Sequence, residues 1–492
     1  MPQIDTTSRD SGAARSYAHR VMMAVFAVLI GVGLFSFWAD RRGKSEWQQY
    51  KSRLEARGEK LDWRAWVPQP PPPDEENFAA TPLLKAIGIR GRTDPVVEGR
   101  LKASPIHGLL GGIGDFQKGE RTDLDAIQLA LRNEAGSGLS LPSLPNNPAS
   151  DILIALDSIK SDLNELRDAA SRPYAVMRLN CPDPMSMETP NFVSLRDLSQ
   201  ILYLRATAEL RLGRADEAFA DVCVICRLAD AANSSPTLIG AMIHCALDGL
   251  AVQAFWEGWV TGQWSDHQLE MFQKKFEKVN LLLAVDNAIR AERAFVNEIM
   301  ENPPQGKISS VFGNGGNPWH SRLLDFGFRF GGLIQKNEIT FNRLIDDSML
   351  PNFDASAQRV FPQQCRENSA RLGQELSHPT PFNYLATMAT PNFSNALRVV
   401  ARNQTSVNLA ALACGLERYR RRHGQYPDTL ESLVPDFSAT LPHDLINGRP
   451  LKYHRVEEGS FLLYSIGWNE KDDGGFNDND KGDWVWPSRA KK

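Results

Sequence analysis

Between Arg20 and Asp40 lies a run of 18 residues, Val21 to Trp38, without a charged side chain. At about 1.5 Å per residue a helix over this run is about 27 Å long, close to the hydrocarbon thickness of a bilayer. The run predicts one transmembrane helix over 21–38, with residues 1–20 as a cytoplasmic tail. A cleaved signal peptide would carry a shorter apolar core and a small-residue cleavage site. A buried core helix seldom lies so near a terminus.

Arg9, Arg15 and Arg20 precede the run, and Arg41, Arg42, Lys44, Lys51, Arg53 and Arg57 follow it. Counted alone, these charges favour a cytoplasmic C-terminal side. A short tail with three arginines is nevertheless easily retained, and a large following domain is exported largely regardless of its charge. The expectation is therefore a single-pass protein of the cell inner membrane, with the bulk of the chain extracytoplasmic, in the periplasm. With 55 Lys plus Arg against 59 Asp plus Glu, the net charge of −4 leaves no global positive field for a nucleic-acid backbone. Hydrophobic residues at 42% and charged residues at 23% exclude wholesale disorder and a polytopic membrane protein. The oligomeric state stays open.

Beyond the membrane, Trp47, Tyr50, Leu54 and Leu61 recur at helical spacing among Lys, Arg and Glu. This segment reads as a juxtamembrane helix forming a solvated stalk. Pro68 to Pro73 then suggests a polyproline II spacer, completing a linker over 39–75. After a glycine-rich, weakly patterned stretch, apolar residues fall at helical spacing over 151–170, 198–212, 215–232, 238–259, 265–279, 281–300 and 323–345. Ser265 and Gln268 fit a capping box. Together these make a helical central domain over 76–390. The Gly213 to Ala218 turn looks like the middle of a tetratricopeptide (TPR) unit, but no clean second copy follows at a 34-residue period. A stacked array needs several repeats, so a partly TPR-like hairpin within a larger helical domain is expected.

Cys223 and Cys226 share a helix face, and the next helix could fold His244 and Cys245 back toward them. A zinc site is one reading of that group. Cysteines packed as small hydrophobes are the simpler one, given Val222, Val224, Ile225 and Leu228 around them, and a disulfide to Cys245 is a third in an exported domain. His107, His267, His320 and His378 are scattered, without an HExxH, GxSxG or Walker pattern. Glu292, beside Arg290 and Arg293, reads as part of a solvated charged face.

The last hundred residues carry more. Residues 395–423 predict one long helix ending in Arg420-Arg421-Arg422-His423-Gly424, where cations suit a helix C-terminus and glycine the cap. A short helix over 429–434 follows, then the Asn447-Gly448 turn and two alternating segments, 451–455 and 460–465, that read as antiparallel strands. Leu416-Glu417-Arg418-Tyr419, Gly424-Gln425-Tyr426-Pro427, Leu441-Pro442-x-Asp444, Asn447-Gly448-x-Pro450-Leu451-x-Tyr453, Tyr464-Ser465-Ile466-Gly467 and the Asn477-Asp478-x-Asp480-x-Gly482-x-Trp484 tail keep an order and spacing. Over about 90 residues this region resembles the major pseudopilin of type II secretion systems. The resemblance implies a small α+β domain over 391–492 whose acidic loop binds one calcium ion. Asp478 and Asp480 match that family's paired aspartates. Asn469 falls where the family has an aspartate, and Asp472 where it often has glutamate. The residue types agree, since hard oxygen donors in a glycine-punctuated loop suit calcium. A hydrated acidic turn without metal is the alternative. An EF-hand is excluded, because counting from Asp478 puts Arg489 where a bidentate Glu belongs.

Pseudopilins begin with a prepilin-peptidase site and a hydrophobic helix leading directly into the globular part. Here some 350 residues separate the two helices. The whole chain is similar to membrane-anchored bacterial proteins that share the Ala56 to Asp62 segment, the Glu209-Leu210-x-x-Gly213-Arg214 turn and this C-terminal end. That likeness implies an architecture and an envelope location, and no activity. The expected fold is mainly α: a transmembrane helix, a helical central domain and a small pseudopilin-like domain. The expected role is non-enzymatic, structural or protein-interacting, linked to secretion or pilus-like machinery of the envelope. The rivals are an enzyme or zinc protein of the helical domain, and a peptide-binding helical repeat.

Overall fold

The structure, a computed structural model, describes residues 10–67, 72–102, 114–133, 147–303, 332–390, 393–456, 459–477 and 481–488, with residues 308, 311, 325 and 328 between. Most of the expected proline spacer, His107, His320, much of the first part of the helix expected from 323, and both Asp478 and Asp480 lie outside the described residues.

The described helices are α1 (Asp10–Ala56), α2 (Pro82–Ile87), α3 (Pro95–Lys102), α4 (Leu124–Asn133), α5 (Pro148–Ala155), α6 (Lys160–Ala169), α7 (Phe192–Arg211), α8 (Ala215–Asn233), α9 (Leu238–Trp259), α10 (Asp266–Phe276), α11 (Leu281–Glu301), α12 (Leu333–Ser348), α13 (Pro362–Leu376), α14 (Tyr384–Ala389) and α15 (Phe393–His423). Strands β1 (Phe353–Asp354) and β2 (Arg359–Val360) pair antiparallel, and β3 (Lys452–Val456), β4 (Ser460–Ser465) and β5 (Trp484–Val485) form an antiparallel sheet in that order. The fold is mainly α, as the helical periodicity implies. It divides into two compact units, each assembled from three stretches of chain.

The first unit comprises Met1–Leu61, Ala294–Ile345 and Gly373–Pro391. Here the structure corrects the reading of residues 39–61. No proline interrupts the chain from 21 to 56, and the apolar run and its charged continuation form one helix, α1, of 47 residues. The expected solvated stalk is instead a packing face, with Trp47 and Leu54 only 2% and 1% exposed. Trp47 donates its indole N–H to Glu301 at 2.7 Å, Lys51 approaches the same carboxylate at 3.3 Å, and Lys336 pairs with Glu46. Gly43 allows close approach: a Cβ there would stand 3.0 Å from the Cα of Gly332. Asn337 ties α12 to α14, donating to the Pro381 carbonyl and accepting from the Leu385 N–H, both at 2.8 Å. Over 21–38, by contrast, the large apolar side chains are exposed. This part of α1 is long and apolar enough to span a membrane.

The second unit comprises Asp62–Arg293, Asp346–Leu372 and Asn392–Lys492. Its centre is the run α7–α8–α9, joined by short turns. Asn191 caps α7, accepting from Ser194 N–H at 3.2 Å, and Thr237 caps α9, accepting from Gly240 N–H at 3.0 Å. Helix α7 ends in a Schellman motif, in which Arg214 N–H reaches the Glu209 carbonyl at 2.9 Å and Gly213 N–H that of Leu210 at 3.1 Å. This closure needs the left-handed φ of 75° that Gly213 adopts, which explains the glycine in the hairpin turn. The capping box at Ser265 and Gln268 is present at the start of α10.

Helix α9 is apolar on nearly every face and is correspondingly enclosed. Phe255 meets Phe272 and Phe276 with ring centroids 5.0 and 5.3 Å apart, and Trp259 meets Phe461 and Trp486 at 5.9 and 5.4 Å. The Trp259 indole donates to the Ala413 carbonyl of α15 at 3.2 Å. Residues 392–492 therefore share a core with the helices instead of forming a core of their own. The reason is α15, which buries Leu397, Val400, Val407, Ala410, Ala413, Cys414 and Leu416 around more than one face. A helix buried that broadly must be covered by other elements.

Candidate functional site

Two places in the second unit hold the residues singled out from the sequence: a cavity in the helical part and the acidic loop beside the small sheet.

The cavity, of about 590 Å³, has walls from α8, α9, α10 and the start of α11. Helical spacing puts its polar residues there. On α8, Cys223, Arg227 and Asp230 lie four and three apart and so line one face. On α9, His244 and Asp248 are four apart, with Nε2 of the histidine 2.9 Å from a carboxylate oxygen. On α10 and the turn after it, Lys274, Lys275 and Lys278 complete the polar rim, and Phe272, Val279, Leu283 and Ala284 supply apolar lining. Arg227 pairs with Asp230 at 2.8 Å and donates to the Arg172 carbonyl at 2.7 Å. Lys275 approaches the same Asp230 at 3.8 Å, while Lys274 is held at 2.5 Å by Glu270. His244 and Asp248 are both buried, and among the described residues Nδ1 of His244 and Nε of Arg227 have no hydrogen-bond partner.

Of the cysteine and histidine group, Cys223 and His244 line this cavity, whereas Cys226 and Cys245 are 2% and 1% exposed and pack in the core. Burial pushes the Cys223 thiol up to about 11 and the Cys245 thiol up to about 12, and raises Cys226 further. A nucleophile or a metal ligand needs the opposite shift, toward the thiolate. All six cysteines are free, so no disulfide reaches Cys245. Among the described residues no group of three or more His, Cys, Asp or Glu is placed to hold a metal ion. His267 and His378 are exposed and apart from the cavity, and Glu292 is a correction to the sequence reading. Instead of standing on a solvated face, its carboxylate accepts the Leu238 N–H at the start of α9 at 2.7 Å, and burial raises its pKa.

The acidic loop follows β4. Asp483 is fully buried and anchors it, accepting from the N–H groups of Gly475 and Asp473 at 2.7 and 3.1 Å. Asp472 accepts from the Tyr464 hydroxyl at 3.0 Å and pairs with Lys452 at 2.9 Å, and that lysine beside it lowers its pKa. Asn469 donates to Asp473 and to the Lys481 carbonyl, both at 2.7 Å. The loop chemistry suits a hard cation, but Asp472 and Asn469 already have protein partners, and the Lys452 ammonium stands where a cation's field would be felt. The described donors alone do not make a calcium site.

The residues that carry the resemblance to pseudopilins are mostly pins. Asp444, 1% exposed, accepts from Ile446 N–H, Ser465 Oγ and Ile466 N–H at 2.9, 2.9 and 3.0 Å, fastening the Asn447-Gly448 turn to β4. Glu417 accepts from the Tyr426 hydroxyl at 3.0 Å and from Arg420 and Arg421, closing the end of α15 onto the segment after it. Residues that the sequence reading did not single out are Arg227, Asp230, Asp248, Lys275 and Lys278. Their signal was the spacing of polar residues along α8, α9, α10 and the turn after it, which becomes a site only once those elements are packed. Set against known proteins, the chain matches no family model, no curated protein and no solved structure.

Proposed function

We propose that this chain is a single-pass envelope protein with a structural or protein-interaction role, held in the inner membrane by 21–38 with its mass on the periplasmic side. Its C-terminal region acts as a pilin-like module that contacts envelope or secretion machinery, and Asp478 and Asp480 hold a calcium ion that stiffens its acidic loop. One observation carries this reading. A long helix, a short 3-10 turn at Leu430–Leu433 and an antiparallel β3–β4 hairpin follow one another in the order the resemblance implies. The sheet adds a third strand, β5, that the sequence reading left out. The anchor is supported by the apolar side chains of 21–38, which stay exposed among the described residues.

Calcium titration of the full-length protein in detergent, followed by melting temperature, tests the module. A rise that both Asp478→Ala and Asp480→Ala abolish is expected; no rise removes calcium from the reading. Protease digestion of intact spheroplasts tests the side of the membrane. Cleavage of the bulk of the chain is expected, and full protection reverses the orientation.

A further inference from the structure

We propose that the cavity walled by α8, α9, α10 and α11 is a binding site for a small organic anion, one carboxylate or phosphate group on an apolar body. This goes beyond the envelope role and does not depend on it.

The volume, about 590 Å³, lies within the range of small-molecule sites, and the lining combines an apolar floor with a few convergent polar groups. Its charge is unbalanced. With Lys274 neutralised by Glu270, the cations Arg227, Lys275 and Lys278 face two carboxylates, Asp230 and Asp248. Asp230 is shared between Arg227 and Lys275, and Asp248 sits against His244. One positive charge therefore remains for an incoming anion.

That charge is carried at the rim by Lys275 and Lys278, where an anionic oxygen of the ligand would meet it. Phe272, Val279 and Leu283 then set the rest of the ligand, because an apolar body removes them from water whereas a bare inorganic ion does not.

The test is calorimetric titration of the full-length protein in detergent with four probes: phenyl phosphate, benzoate, benzyl alcohol and inorganic phosphate. Saturable binding of phenyl phosphate or benzoate is expected, at least tenfold tighter than either benzyl alcohol or inorganic phosphate. The better of the two anions distinguishes a phosphate from a carboxylate ligand. Lys278→Ala, at an exposed position that does not threaten folding, should weaken it about tenfold, and Lys275→Met at least as much. Absence of saturable binding by both aryl anions overturns the proposal. So does equal affinity for inorganic phosphate, or wild-type affinity in both lysine variants.

Discussion

Among the described residues, two helices are long and apolar enough to cross a membrane, and they reach opposite ends. In α1 the stretch from Val21 to Trp38 leaves its large side chains exposed, while α9 is a core helix of the second unit. Hydrophobicity alone does not separate them. What separates them is the placement of polar side chains. The exposed stretch has no ionisable residue, whereas α9 carries His244, Asp248 and Glu257, each buried. Glu257 accepts from Thr122 N–H at 2.7 Å and from Arg121 at 3.0 Å. Such groups are tolerated where folded protein supplies partners, and are costly where only lipid does.

That contrast can be broken by experiment, beginning with the largest effect. Removing residues 1–38 is expected to move the protein entirely from the membrane to the soluble fraction while leaving the second unit's unfolding transition unchanged. A truncation that stays with the membrane would show that 21–38 is not the anchor. Removal through Leu61 should in addition unfold the first unit, because it takes away Trp47 and Leu54.

Matched phenylalanines sharpen the comparison. Phe255→Ala in α9 removes a fully buried ring and should cost about 3–5 kcal/mol in denaturant unfolding. Phe26→Ala, at a position 64% exposed, should leave that transition where it is. Equal effects would erase the distinction between the two helices. Next in size, Glu257→Ala strands the Arg121 guanidinium and Thr122 N–H and should cost about 2–3 kcal/mol by the same measurement. Asp444→Ala, which frees three donors at the turn beside β4, should cost about 1–3 kcal/mol and loosen amide exchange in β4 first.

The most gradual effect is with pH. Glu338 on α12 is the counter-case to Glu257: it is fully buried, and among the described residues neither of its carboxylate oxygens has a partner. Burial, with the Glu301 carboxylate adding to it, pushes its pKa up to about 8 from 4.5. The folded chain then holds that proton more tightly than the unfolded one. Its contribution to stability is complete below about pH 4.5 and is lost as pH rises through about 8. Melting of the first unit from pH 5 to 9 should show that decline, and Glu338→Gln should flatten it. A wild-type profile as flat as the variant's would place a partner on Glu338.

How far the amino-acid order reaches can be followed residue by residue. The capping box at Ser265, the turn at Gly213, the end of the long helix at His423 and the β3–β4 hairpin were legible, because each depends on a few neighbouring residues. Trp47 and Leu54 were misread as parts of a stalk, since a stripe of apolar residues looks the same whether a partner covers it or not. Cys223, Cys226, His244 and Cys245 were grouped by helix spacing, yet only two of them line the cavity. The residues that join them there, Asp248, Arg227, Asp230, Lys275 and Lys278, come from three helices and the turn after α10, whose approach no local rule states. The motif residues Asp444 and Glu417 were noticed through a resemblance, and their hydrogen bonds show why those residue types are needed.

Local energetics thus settled the helices from α7 to α11 and α15, the caps at Gly213 and Ser265, and the N-terminal stretch that suits a bilayer, because propensity, periodicity and capping act within a few turns of chain. Tertiary packing decided that α15 belongs to the same core as α9, and that two acids, a histidine and four cations line one cavity. It also decided that a charged continuation of the anchor is a buried face. Burial and partnership are properties of surfaces brought together from distant sequence, and only the closed structure assigns them.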